Sequence, residues 1–153
     1  MLTDTDIARV VSLRKATKAD IPYLYSLYQE EIPTNSWKLE DFYTFLQQKF
    51  NALFCIMLNK KCVGFIMLTI IVPESDLINI AVQKPLQNMG IGKEAMHCLD
   101  KVLKGMGIKN IYLEVRKSSR ALNFYIINGF TITGYRKDYY EDHADAVSME
   151  KSI

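Results

Sequence analysis

The sequence predicts a single α/β domain, in which a mixed, mostly antiparallel sheet of about seven strands packs with about four helices. Short β-branched and aromatic runs alternate with segments of helical period, each bounded by turn formers. One such run, Leu77 to Val82, passes through a glycine-bearing turn into a long amphipathic stretch and then a further run, Ile108 to Val115. That is the pattern of a β-α-β unit with parallel strands and a right-handed crossover. A chain of 153 residues, 49% of them hydrophobic, can fill one domain and is short for two.

Residues 1–9, with Asp4, Asp6 and Arg9, read as a loose tail without the apolar centre of a signal peptide. Val10 to Lys15 is a short first strand. Thr17-x-x-Asp20 signals a helix start, and Ile21, Leu24, Tyr25, Leu27 and Tyr28 give that helix its apolar face. Turn formers in Ile32 to Trp37 break it before a second helix, Leu39 to about Phe50, that buries Phe42, Phe45 and Leu46. Ala52 to Leu58 and Val63 to Val72, separated by Asn59-Lys60-Lys61, form a hairpin. After the strand at Leu77 to Val82, a helix with Ile91, Ala95, Leu99, Val102 and Met106 on one face runs to about Lys104 and ends at Gly105 and Gly107. Ile108 to Val115 turns Ile111, Leu113 and Val115 one way and Tyr112, Glu114 and Arg116 the other. A short helix through Ala121, Phe124 and Tyr125 stops at Asn128-Gly129, and strands at Thr131 to Tyr135 and Asp145 to Met149 close the domain.

Composition narrows the function. Nineteen basic against seventeen acidic side chains give no charge argument for nucleic acid. The longest apolar run, Phe65 to Val72, falls far short of the ~18 residues that span a bilayer. Cys55, Cys62 and Cys98 form no C-x-x-C pair and suit a reducing, cytoplasmic setting. His97 and His143 have no metal-ligand cluster around them in the sequence, and Lys60-Lys61 and Arg136-Lys137 read as solvated charge.

The most informative stretch is Ile78 to Lys93, INIAVQKPLQNMGIGK. Strand, glycine turn and helix start make a place for phosphate, because the first N–H groups of a helix lack intrahelical partners and sit at the positive end of its dipole. Gln87-x-x-Gly90-x-Gly92 behind Ile80-Ala81-Val82 resembles the acetyl-CoA pyrophosphate signature of the GNAT acetyltransferases. Leu113-Glu114-Val115-Arg116, Ala121-x-x-Phe124-Tyr125, Asn128-Gly129-Phe130 and Tyr139-Tyr140-Glu141-Asp142-x-x-Asp145-Ala146 follow in the order seen in the members that acetylate the N-terminal alanine of ribosomal proteins and in their archaeal relatives. The resemblance covers about Asp76 to Met149. Ser118 stands where the family has asparagine, the interval from Glu114 to Tyr125 is one residue shorter, and His143 replaces a glycine.

The resemblance implies a GNAT-like fold splayed between the fourth and fifth strands, with acetyl-CoA in the opening and no metal. It implies cofactor contacts at Ile80, Ala81, Val82, Gln87, Asn88, Met89, Gly90, Ile91, Gly92, Lys93, Ser118 and Ala121, and acceptor contacts at Trp37, Asn79, Tyr139 and Tyr140. Glu114 is the implied base and Tyr125 the implied acid. By pattern alone, Glu114 is equally a solvated carboxylate, Tyr125 a core aromatic and Tyr139-Tyr140 a strand pair. The expected activity is transfer of acetyl to the N-terminal α-amine of a protein or peptide, ribosomal proteins included, by a cytoplasmic monomer or weak dimer with no nucleic-acid or membrane partner. A small amine or lysine side chain as acceptor is the nearer alternative, and a non-catalytic acyl-CoA-binding module the farther one.

Overall fold

The computed structural model describes residues 8–32 and 36–153. Strand β1 (Val11–Lys15) leads into α1 (Ile21–Glu31) and α2 (Leu39–Gln47), followed by β2 (Asn51–Leu58), β3 (Lys61–Ile71) and β4 (Glu74–Val82). Then come α3 (Ile91–Gly105), β5 (Asn110–Arg116), α4 (Ala121–Ile127), β6 (Thr131–Arg136) and β7 (Ala146–Ser152). The seven strands form one sheet in the order β1-β2-β3-β4-β5-β7-β6. Neighbours are antiparallel except β4 and β5, the expected parallel pair.

Local chemistry sets the ends of these elements. Thr17 caps a single 3-10 turn, Lys18–Asp20, that continues into α1. The Asp20 carboxylate accepts the Thr17 N–H at 2.7 Å and both arms of the Arg14 guanidinium at 2.9 Å, tying β1 to the helix start. The second helix stops at Gln47, short of the expected Phe50, because Gln48 turns extended. On α3 the buried residues are Ile91, Ala95, Met96, Leu99 and Leu103, whereas Val102 and Met106, expected on that face, are exposed. Stepping by four from Ile91 keeps Leu103 on the inward stripe and rotates Val102 to its edge.

Two cores lie on opposite faces of the sheet. On one face, α3 and α4 cover Ile56, Val63, Ile66, Leu68, Leu77, Ile111, Leu113, Val147 and Met149. On the other, α1 and α2 cover Leu53, Cys55, Phe65, Met67 and Ala81. Strand β3 feeds both cores, which is why its sequence is a continuous apolar run.

The site originates in how β4 leaves β5. Only Glu74↔Asn110, Ser75↔Ile111 and Asp76↔Tyr112 are paired. Just beyond, the β3/β4 register slips between Met67 and Leu68, so that Ile78 is an extra residue on β4. Such a bulge bends a strand and increases its twist. From Leu77 to Val82, β4 has no strand on its β5 side.

Candidate active site

The splay opens a cavity of about 1620 Å³ between β4 and β5, bounded by the α3 N-terminus, α4 and the β6–β7 connection. Ladder alternation decides what β4 presents to it. The Gln83 N–H bonds to the Val63 carbonyl at 2.8 Å, so in this register Ala81 and Gln83 point their main-chain groups at β3. Ile80 and Val82 therefore direct theirs into the opening. The Val82 carbonyl accordingly accepts the Gln87 side-chain amide at 2.8 Å.

The turn ahead of α3 is built on left-handed backbone, Asn88 at φ 63° and Gly90 at φ 82°. Asparagine tolerates that region and glycine adopts it freely. The first intrahelical bond of α3 is Glu94 N–H to the Gly90 carbonyl at 3.0 Å, which leaves the N–H groups of Ile91, Gly92 and Lys93 without helix partners. A side chain at position 92 would press on Phe124, an ideal Cβ lying 3.1 Å from its ring, so this glycine lets α3 and α4 approach. Gln87, expected among the cofactor contacts, spends its side-chain amide on Val82 and on Glu31 Oε2 at 2.6 Å, joining the turn to β4 and to the end of α1.

Of the cofactor residues expected from sequence, Ile80, Ala81, Val82, Gln87, Asn88, Gly90, Gly92, Lys93, Ser118 and Ala121 line this cavity. Ile91 is buried in the core beneath it, and Met89 is exposed, with its carbonyl taken by Arg9 at 2.8 Å. Asn79, Glu114, Tyr125, Tyr139 and Tyr140 also line the cavity. Trp37 does not: its ring packs on Tyr28, Phe42 and Phe45, and its main-chain N–H donates to the Tyr28 hydroxyl at 3.1 Å. Of the turn formers expected between Ile32 and Trp37, residues 33–35 lie outside the described residues.

Tyr125 is 6% exposed, held between Phe124 and Phe130 at 5.5 and 5.6 Å between ring centroids. Burial, with Tyr140 nearby, pushes its phenol well above the usual range, so it stays protonated and able to donate. Glu114 comes from β5, on the face opposite Leu113 and Val115, and is one quarter exposed. Arg136 Nε meets its carboxylate at 2.6 Å. Arg136 is 61% exposed, as expected of solvated charge, and its pairing with Glu114 is what the sequence does not show, because β6 reaches β5 only through β7, a neighbour relation no local pattern contains.

Two arginines organise the β6–β7 connection. Arg116 grips Asp142 through two contacts, 2.7 and 3.0 Å, and lies 4.3 Å from the Tyr140 ring centre; Arg136 lies 5.5 Å from that of Tyr139. The carboxylate of Glu114 beside its hydroxyl pushes Tyr139 above the ordinary phenol value, with burial a second cause. His143 has φ 66° and its Nδ1 lies 2.6 Å from Asp138 Oδ1. The left-handed backbone at His143 is one that glycine adopts most readily. Among the described residues no group of three or more histidine, cysteine, aspartate or glutamate side chains could hold a metal ion.

A model of the acetyltransferase (GNAT) family matches residues 21–130. The chain is 35% identical over 82 residues to the ribosomal protein bS18-alanine N-acetyltransferase of Haemophilus influenzae, a match spanning 54% of this chain and 56% of that protein. The Escherichia coli protein of the same name is 31% identical over 99 residues, 62% of this chain and 67% of its own length. The crystal structure of the ribosomal-protein-S18-alanine N-acetyltransferase from Escherichia coli superposes with a TM-score of 0.80 at 27% identity, covering 94% of both chains. Ard1 from Thermoplasma volcanium shares the fold, with a TM-score of 0.83 at 23% identity over 94% of this chain and 97% of its own. With 110 consecutive residues inside the family model and the cavity lined by its signature turn, this chain belongs to the acetyltransferase (GNAT) family.

Proposed function

We propose that the protein moves an acetyl group from acetyl-CoA to the N-terminal α-amine of a protein or peptide in the cytoplasm. The observation that carries this is one cavity lined both by the Gly90 turn with the open edge of β4 and by Glu114, Tyr125, Tyr139 and Tyr140. The relatives named for acetylating the alanine of a ribosomal protein support the choice of acceptor. Free thiols at all three cysteines fit a reducing compartment, and no helix among the described residues is long and apolar enough to cross a membrane.

In this reading the pyrophosphate sits on the N–H groups ahead of α3 and the pantetheine arm pairs with Ile80 and Val82, as a peptide adds to a strand edge. An α-amine, with a pKa of ~7.7–8.0, needs little help to lose its first proton. Its lone pair then attacks the thioester carbonyl carbon, and the developing oxyanion takes the Ile80 N–H. Glu114, directly or through water, accepts the second nitrogen proton as the C–N bond forms. The C–S bond breaks and Tyr125 gives its hydroxyl proton to the departing thiolate.

A small cationic amine is the second reading. Glu74 and Asp76 line the same cavity as Glu114, and burial, then Glu74 and Glu114, raise Asp76 above the usual carboxylate range. Peptides beginning with alanine or serine, offered beside N-blocked peptides with an internal lysine and beside polyamines, separate the readings by thiol release and mass spectrometry. Modification of the free terminus is expected. Acetylation confined to lysine or polyamine would overturn the α-amine assignment.

A further inference from the structure

We propose that Arg136 is a positioning residue that pairs with Glu114 and competes with the acceptor's ammonium for its carboxylate; this rests on the role given to Glu114 above. The two arginines facing this part of the cavity are held differently. Arg116 is 23% exposed, gives both oxygens of Asp142 the same guanidinium nitrogen, Nη1, and lies over the Tyr140 ring, so it is held at one end of its fork and along its plane. Arg136 is 61% exposed, stands at the last position of β6 with its guanidinium 5.5 Å from the Tyr139 ring centre, and among the described residues its one polar contact is Nε to Glu114 Oε1 at 2.6 Å. Arg116 is a clamp; Arg136 is a latch.

The chemistry of that contact matches the substrate step. A carboxylate that pairs with a guanidinium pairs equally with an ammonium group, since both partners are cations. While Arg136 is in place it lies against one of the two oxygens able to take the acceptor's proton. An ion pair with so exposed a partner contributes little, so an incoming ammonium competes with it at a cost of about five-fold in affinity or less. The latch also keeps the Glu114 side chain turned toward the cavity before any acceptor arrives, with the Tyr139 hydroxyl beside it.

The test compares wild type with Arg136→Gln, Arg136→Met and Arg136→Lys. An N-terminal alanine peptide is titrated calorimetrically into each protein saturated with coenzyme A, and steady-state kinetics are measured with the same peptide. Removing the guanidinium in either neutral variant is expected to tighten the peptide Kd and lower its KM by about two- to five-fold, leaving the KM for acetyl-CoA unchanged. Arg136→Lys, which keeps a competing cation, is expected to stay near wild type. In a Glu114→Gln background the effect of Arg136→Gln on peptide affinity should vanish, because there is no anion left to compete for. Weaker peptide binding in both neutral variants would show that Arg136 grips the acceptor and would overturn the proposal, as would an unchanged effect in the Glu114→Gln background. Should wild type acetylate only small amines, the peptide reading fails on its own, and the same titrations with the accepted amine decide the role of Arg136.

Discussion

Tyr125 and Glu114 show how the same residue types acquire different duties from their surroundings. Tyr125 lines the cavity from α4, beside β5, and its burial holds the phenol neutral far into alkaline conditions. Replacing it with phenylalanine should lower kcat by about 10²–10⁴-fold with little change in acetyl-CoA affinity. Because its folded pKa is raised, ionisation of Tyr125 should produce no alkaline loss of kcat below about pH 10. Glu114→Gln should cost a similar factor at neutral pH, and the loss should shrink as pH rises past the amine's own pKa, which a rate profile from pH 6 to 9 checks. Far from this chemistry, Asp20 sits well below the usual carboxylate range because Arg14 and the Thr17 N–H favour its charged form. A depressed folded pKa means a contribution fully present above about pH 4 and lost progressively as pH falls below it. Asp20→Asn should therefore destabilise the protein by about 1 kcal/mol at neutral pH, a figure kept low because Arg14 is 43% exposed. In urea titrations the gap from wild type should narrow steadily below about pH 4.

Among the elements, the turn before α3 makes the strongest conformational demand. Gly90 has φ 82°, and a β-branched residue there would be forced out of the left-handed region that closes the turn. Gly90→Val should weaken acetyl-CoA binding by at least an order of magnitude while the sheet and α3 persist, since the apolar face from Ile91 to Leu103 is untouched. Calorimetric titration alongside circular dichroism separates the two effects. The β6–β7 connection is held by side chains: Asp138 and Asp145 close its base at 2.9 Å, and Arg116 fixes Asp142. It can thus present two tyrosines to the cavity without regular secondary structure.

For the whole molecule, the decisive feature is a sheet continuous enough to fold as one body and yet open in the middle. Gly64 lies opposite Val82 on the β3/β4 ladder, where a Cβ would come within 2.3 Å of the Ala81 carbonyl oxygen. The two backbones approach too closely there for any other residue. Gly64→Ala must push β4 away from β3, and should destabilise by about 2–3 kcal/mol, visible as a fall in melting temperature. The opening is itself a linkage site. Acetyl-CoA binding to the folded state alone should add about 2.7 kcal/mol at a ligand concentration of 100 times Kd, raising Tm in a concentration-dependent way.

The order of elements, the two amphipathic helical faces, the β-α-β crossover and the glycine turn were all determined by sequence alone, because each depends on neighbours within a few residues: period, caps, left-handed positions and turn chemistry. The turn's motif also carried the family. Tertiary structure decided what depends on contacts between distant segments. Trp37 looks in sequence like part of a substrate loop, yet its ring is drawn into the Tyr28–Phe42–Phe45 cluster, since an indole beside an uncovered aromatic core is better buried than exposed. Gln87 lines the cavity, as its place in the motif suggests, and its side-chain amide is also a strut to Val82 and Glu31, the second of which becomes its neighbour only once α1 packs against β4. Arg136 is surface charge in sequence and in structure, but only the insertion of β7 between β5 and β6 brings its guanidinium to Glu114. Local pattern fixes which face a side chain takes on its own strand; strand order fixes what it meets there.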